Sequence, residues 1–301
     1  MSIGIFLIVL LSAFLHASWN FLCKHGKPSI AFSFLMSLSC ILLLGWTPFA
    51  VRIEWGNFNY ILLVVLVFLS SLGETIYTCG IQLSYSKMDM SQGYPLIRAL
   101  PVIFIAVIML LLPPHQVPNY LGAAGLFMVF FGCLLMPVGR FSDLKLKNYL
   151  VKPMLFVLMG AIGTTIYIIM DVHGTKLLKV NCDSDFFGSC YYFFLVECCM
   201  FLNLGVVLLF QRDSYNDLKA IIKGTPWKPL CAGLFCSSAY ILTLYAMLFV
   251  DNLSFLQAFR QMSLPIGVGL GMLFLREKLS LPRACGVFFI VSGLVLIAFA
   301  K

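Results

Sequence analysis

The chain has 301 residues, 61% of them hydrophobic and only 11% charged, with a mean hydropathy of +0.99 and a formal net charge of +8. A water-soluble domain cannot hide that much apolar surface, which excludes soluble enzymes, nucleic-acid binders and disordered chains. Membrane β-barrels are excluded too, because their strands alternate apolar and polar over about 10 residues whereas the apolar runs here are continuous. The fold class expected is an all-α polytopic membrane protein.

A spanning helix needs roughly 20 apolar residues, and ten runs of about that length occur in chain order: 3–22, 30–50, 59–83, 91–112, 119–138, 152–172, 186–210, 229–249, 254–275 and 282–300. Polar or Pro/Gly-rich punctuation separates them, such as Lys24-His25-Gly26-Lys27-Pro28 and Pro113-Pro114-His115-Gln116. No basic residues precede the first run and no small-x-small cleavage site is well placed, so it is read as a retained helix. Most of the 11 cysteines lie inside runs and no C-x-x-C pair occurs, which favours small buried hydrophobes over a disulfide framework.

Fourteen of the 20 basic residues fall in the odd-numbered loops between runs and four on the opposite side; Arg98 and Arg260 fall inside runs. The positive-inside rule then places the odd loops in the cytoplasm and both termini outside. It also accounts for the positive charge without a nucleic-acid partner. The chain further reads as a duplication. An offset of 148 brings Trp19 onto Tyr167 and His25-Gly26 onto His173-Gly174, and Pro101 to Gly122 repeats the spacing of Pro265 to Gly286. Two five-helix repeats, 1–147 and 148–301, are expected. Five is odd, so the second inserts upside down relative to the first, the architecture of many secondary transporters with a site near the midplane.

A charge near the centre of a spanning helix costs about 2.5–3.5 kcal/mol on insertion scales. Glu74, Arg98, Glu197 and Arg260 therefore stand out. Glu74 lies roughly 22 Å into its run and Arg98 roughly 10 Å into the next, at 1.5 Å per residue, so both can reach one level. They are substrate or proton groups, or else an internal ion pair. Desolvation disfavours the charged form of a carboxylate, which suits Glu197 to proton coupling; the alternative is a protonated Glu197 bonded to a carbonyl. Arg260 either binds substrate or snorkels to the outer interface. His16, Trp19 and Asn20 share a helix face, with Trp19 able to cover a cation or to anchor at the interface. Tyr77 sits one turn from Glu74, and Tyr94 one turn from Arg98. Pro95, Pro101 and Pro265 favour kinks, and Gly267-Val-Gly269-Leu-Gly271 permits close helix approach.

Four segments carry a family resemblance: His16-Ala-Ser-Trp19-Asn20, Tyr85-Ser-Lys-Met-Asp89-Met-Ser91-Gln-Gly-Tyr94-Pro95-Leu-Ile-Arg98-Ala-Leu-Pro101, Tyr167-x-x-x-Asp171, and Leu275-Arg-Glu277-Lys-Leu-Ser280. Across its length the chain resembles the EamA-like branch of the drug/metabolite transporter superfamily. The resemblance implies ten transmembrane helices in two inverted five-helix repeats, a central cavity and alternating access. The chain departs from that pattern at Pro113-Pro114-His115-Gln116, where the first repeat usually carries a Gly-Glu-like turn.

The expected function is secondary active transport of a small polar metabolite (an amine, amino acid or other zwitterion) across the cytoplasmic (inner) membrane, with proton coupling open. The alternative is a lipid or lipid-carrier flippase of the same fold. Candidate substrate-binding residues are Trp19, Asn20, Glu74, Tyr77, Tyr94, Arg98, Tyr167 and Arg260; candidate proton-coupling residues are Glu74, Glu197 and His16. No His-Glu-x-x-His, Gly-x-Ser-x-Gly, Walker-type loop or Cys/His metal spacing occurs, so neither catalytic residues, a metal nor a cofactor is expected. The expected partners are the small-molecule substrate and membrane lipid, with the chain a monomer or weak homodimer.

Overall fold

The computed structural model describes residues 3–25, 29–53, 58–85, 90–111, 117–136, 138–145, 154–211, 213–250, 252–275 and 279–300. Its helices are α1 (Ile3–His25), α2 (Ile30–Leu44), the single-turn α3 (Thr47–Ala50), α4 (Tyr60–Tyr85), α5 (Met90–Leu111), α6 (Tyr120–Leu135), α7 (Met154–Asn181), α8 (Asp185–Phe210), α9 (Ser214–Gly224), α10 (Trp227–Met247), α11 (Leu253–Arg260), α12 (Ser263–Leu275) and α13 (Leu281–Phe299). Among the described residues the extended backbone amounts to an isolated bridge, Ile53 with Cys182. Several helices begin where a polar side chain caps the free amides. Ser29 accepts from the Phe32 amide, Asn119 from Gly122, Ser184 from Phe187, and Asn252 from Ser254 and Phe255.

Seven segments are long and apolar enough to cross a membrane, carried by α1, α2 with α3, α4, α7, α8, α10 and α13; Ile97–Leu111 and Tyr120–Leu135 are shorter apolar stretches. Outward-facing apolar side chains such as Ile61, Phe127, Leu202, Leu209 and Phe288 are largely uncovered by protein. A soluble monomer would not leave so extended an apolar surface bare. The molecule is an all-helical polytopic membrane protein.

The helices depart from the expected runs in three places. The run expected at 152–172 extends through Asn181, because Lys176 and Lys179 continue the helix as a polar end; Lys179 Nζ lies 3.3 Å from Asp185 Oδ2 and 4.5 Å from the Phe249 ring centre. The run expected at 254–275 is broken into α11 and α12. Pro265 sits in the first turn of α12, where its missing amide and its ring are tolerated; the chain turns ahead of it with tight bonds from the Gln261 amide to the Ala258 carbonyl (2.9 Å) and the Met262 amide to the Phe259 carbonyl (3.1 Å). Between the seventh and eighth runs lies α9, too polar to register as an apolar run. The expected repeat boundary at 147/148 lies outside the described residues.

Close packing is set by glycines. Helix α4 runs antiparallel to α7, and α6 to α13. A β-carbon on Gly80 would come within 2.6 Å of the Gly160 backbone, one on Gly163 within 2.6 Å of Gly73, one on Gly125 within 2.6 Å of Gly293, and one on Gly132 within 2.7 Å of Gly286. Where lipid is as apolar as leucine, such backbone-to-backbone approach and interhelical hydrogen bonds hold helices together. Helices α1 and α10 use the second device: Ser12 Oγ donates to the Ala239 carbonyl at 2.6 Å and lies 2.8 Å from Thr243 Oγ1. Other contacts join α2 to α8 and α10, α4 to α8, α5 to α7, and α1 to α11 and α12.

Gly132→Val should lower the thermal unfolding midpoint of the purified protein, at a cost of about 1–3 kcal/mol for overpacking. Gly267→Ala, at a site with nothing within 4 Å of the added carbon, should leave the midpoint unchanged.

Candidate functional site

Side chains from α1, α2, α4, α7, α8, α10 and α11 surround an open-mouthed cavity of about 100 Å³. A cavity of about 150 Å³ takes a benzene ring, so this one admits a small group or molecule of that order. Eight of the residues singled out from sequence line it: His16, Trp19, Asn20, Glu74, Tyr77, Tyr167, Glu197 and Arg260. They come from both halves of the chain. On α1 the 16, 19, 20 spacing brings the three side chains into one local network. Trp19 Nε1 donates to His16 Nδ1 at 3.2 Å, and Asn20 Nδ2 donates to the His16 carbonyl at 2.7 Å. Only a neutral imidazole can accept at Nδ1.

One wall is a row of aromatic rings. Tyr77 meets Tyr167 edge to face at 5.9 Å, Tyr167 meets Tyr240 at 5.8 Å, and Tyr240 meets Phe193 at 5.3 Å. Arg260 is buried at the C-terminal end of α11, where a helix's partial negative charge favours a cation. Its guanidinium lies 5.4 Å from the centre of the Tyr240 ring, and its Nη1 donates to Gln257 Oε1 at 3.4 Å. Arg260 therefore does not snorkel to the outer interface; the helix break turns it onto the cavity wall.

Three carboxylates occupy three different environments. Asp171, fully buried behind the wall, accepts hydrogen bonds from Ser70 Oγ and from the Tyr240 hydroxyl. Glu197 accepts from Ser37 Oγ at 2.5 Å. Glu74 is 8% exposed, faces the cavity, and has neither a hydrogen bond nor an ion pair among the described residues. No buried carboxylate and guanidinium come within ion-pair distance of each other among those residues, so the Glu74–Arg98 pair considered from sequence does not form.

Arg98 corrects the sequence expectation in a second way. It is 1% exposed and lies off the cavity lining. Its Nη2 instead donates to the Arg260 carbonyl and to Ser263 Oγ, both at 3.2 Å, and Gln261 Nε2 donates back to the Arg98 carbonyl at 3.0 Å. The side chain reaches across to the break between α11 and α12 because a helix end leaves carbonyls without intrahelical partners. Tyr94 lies on α5, but its side chain falls outside the described residues, as do Met88-Asp89 and residues 276–278.

Among the residues that sequence reasoning missed are Tyr240 and Phe193 on the cavity wall, with Gln82, Met36 and others, and Asp171 behind it. Asp171 fell at the edge of a run drawn too short, although its spacing from Tyr167 was visible. Tyr240 and Phe193 stand in uniformly apolar runs, and nothing in composition separates them from core aromatics.

No protein-family model matches the chain and no curated protein does. Twenty-eight solved chains match it in structure. One, described as "Crystal structure of protein", superposes with a TM-score of 0.66 and 13% identity, covering 99% of this chain and 98% of its own. At that identity the likeness shows a shared fold alone.

The two buried charges Glu74 and Arg98 should separate in stability measurements. Arg98→Ala strips a partner from the broken helix and should cost about 1–3 kcal/mol for the polar atoms left unpaired, read as a lower unfolding midpoint. Glu74→Gln removes a charge without a partner among the described residues, and should leave the midpoint unchanged or raised.

Proposed function

We propose that this chain is a secondary transporter of a small polar metabolite carrying a positively charged group, built as the EamA-like drug/metabolite transporters it resembles are. The observation that carries this reading is Glu74. A carboxylate kept in an apolar bundle without a hydrogen bond or ion pair is costly, and this one faces an open cavity. Aromatic faces beside it suit an ammonium group through cation–π attraction. Arg260, lining the same cavity, suits a carboxylate or other acidic group, so a zwitterion uses both.

The packing supports two repeats. Let each helix of the first half exchange with its counterpart in the second: α1 with α7, α2 with α8, α4 with α10, α5 with the α11–α12 pair, and α6 with α13. The contact of α4 with α7 then becomes that of α10 with α1, α5 with α7 becomes α11 and α12 with α1, and α2 with α10 becomes α8 with α4. Such exchange is the signature of a pseudo-two-fold relation between halves. Five spans per half would make it an inverted one. The broken helix α11–α12 at the cavity wall fits the same architecture, since irregular backbone at membrane depth is tolerated where it lines a cavity or is buried in protein. On this reading the odd loops face the cytoplasm, and cargo reaches the cavity by alternating access.

A thermal-shift screen of small amines, amino acids and aminophosphonates should find compounds that raise the unfolding midpoint, because a ligand preferring the folded state stabilises it. In proteoliposomes the same compounds should exchange across the bilayer. Glu74→Gln should slow that exchange at least about tenfold, as loss of a charge-assisted contact of about 1.4 kcal/mol or more requires, while the protein stays folded. Undiminished exchange by Glu74→Gln, or movement of none of the stabilising compounds, overturns the proposal.

A further inference from the structure

The second half carries a helix that the cavity does not explain. Helix α9 joins α8, which ends at Phe210, to α10, which starts at Trp227. Both neighbours are membrane-spanning by length and composition, so a connector of this length must lie at the membrane surface where they end. Its two faces differ. Ser214 is buried and Leu218 and Ile221 are half-buried against the protein, whereas Tyr215, Lys219, Ile222 and Lys223 are exposed. Positions 215, 219 and 222 follow helical spacing, so one outward stripe combines an aromatic ring, a cation and an aliphatic side chain. Lys219 Nζ sits 4.4 Å from the Tyr215 ring centre. Trp227, next to the helix, is exposed as well, with Lys228 Nζ 6.0 Å from its ring centre. The acidic residues of the segment, Asp213 and Asp217, occupy its first turn, where they favour the helix N-terminus, and the cations gather toward its end. Lysines attract anionic headgroups, and exposed aromatic rings beside them favour the membrane–water boundary.

The inward face reaches the cavity. Ile221 packs against the cluster of Trp19, Phe32, Met36 and Ala232, and the first three of these line the cavity. We propose that α9 is an interfacial anchor whose Tyr215–Lys219–Ile222–Lys223 face binds the anionic headgroups of the spanned membrane, and that this contact steadies the Trp19–Phe32–Met36 wall. The occupant is the bilayer itself, chosen by complementarity between the lysines and a negatively charged leaflet. The inference needs only that the chain spans a membrane and stands apart from whether it transports anything.

The test uses the full chain in nanodiscs of phosphatidylcholine alone or with about 30 mol% phosphatidylglycerol, a negatively charged surface. Amide hydrogen exchange is followed over 214–224 and over 30–36. In the wild type, anionic lipid should slow exchange in both segments, by about fivefold or more in α9, and raised salt should erode the difference. Lys219→Gln with Lys223→Gln should lose more than half of the effect while matching wild type in neutral lipid, and the corresponding double arginine variant should keep it. Equal wild-type exchange of α9 in both lipids, or a glutamine variant keeping more than half of the difference, overturns the anchor. Slowing in α9 with none in 30–36 overturns the link to the cavity wall.

Discussion

The placement of Arg260 depends on what one nitrogen of a buried guanidinium holds: Arg98 Nη2 is bonded, while its Nε and Nη1 are buried without a hydrogen-bond partner among the described residues. Arg98 has no carboxylate partner among the described residues and instead holds main chain and hydroxyl at the gap between α11 and α12. A break in a membrane helix leaves carbonyls with nowhere to go. Arg98 from one half of the chain fills that need in the other, and Gln261 returns the bond to the Arg98 carbonyl. Without the break, Arg260 would continue up a regular helix; with it, Arg260 closes α11 and turns its charge onto Tyr240. One buried cation thus fixes the backbone, and the backbone places the second cation in the cavity wall.

The three carboxylates grade from structural to available. Asp171 is held by two hydroxyl donors, and through Tyr240 it orients a ring of the cavity wall without touching the cavity lining. Glu197 shares its carboxylate with Ser37 and still faces the void. Glu74 faces it with no such partner among the described residues. Buried polar groups in a settled core are mostly bonded, and among the described residues Glu74 is the one of the three carboxylates that the fold leaves without such a bond beside the cavity.

Much of the fold was legible because lipid imposes a single rule, an apolar stretch of fixed length, and nearly every run became a helix. What escaped were features that this rule does not score. The stretch 254–275 was read as one apolar run although Ser254, Gln257 and Arg260 make its first part more polar than its second; the kink expected from Pro265 was the nearest signal, and the break lies just ahead of it. Helix α9 is amphipathic, so its mean hydropathy hid it. In the candidate site, the charges and the 16–19–20 face were found because charge in a membrane helix is rare. Tyr240 and Phe193 were not, because an aromatic residue in an apolar run looks the same whether it faces lipid, core or cavity. Arg98 was found for the right energetic reason and given the wrong partner, since a sequence shows what must be satisfied but not by which atoms.

On the proposed relation between the two halves, the departures from it are informative. Helices α6 and α13 meet through matching glycines seven residues apart on each, 125 and 132 against 293 and 286, an interface that an exchange of halves leaves unchanged. The cavity is different. Helix α5 stays continuous through Pro101, whereas α11–α12 is interrupted just ahead of Pro265, and of these helices only α11 contributes to the cavity lining among the described residues. A cavity between equivalent bundles would present equivalent groups from each. Here the unpartnered carboxylate comes from α4 and the wall guanidinium from α11, which are not counterparts. Both line the same void, so one carboxyl and one guanidinium from different helices share its wall.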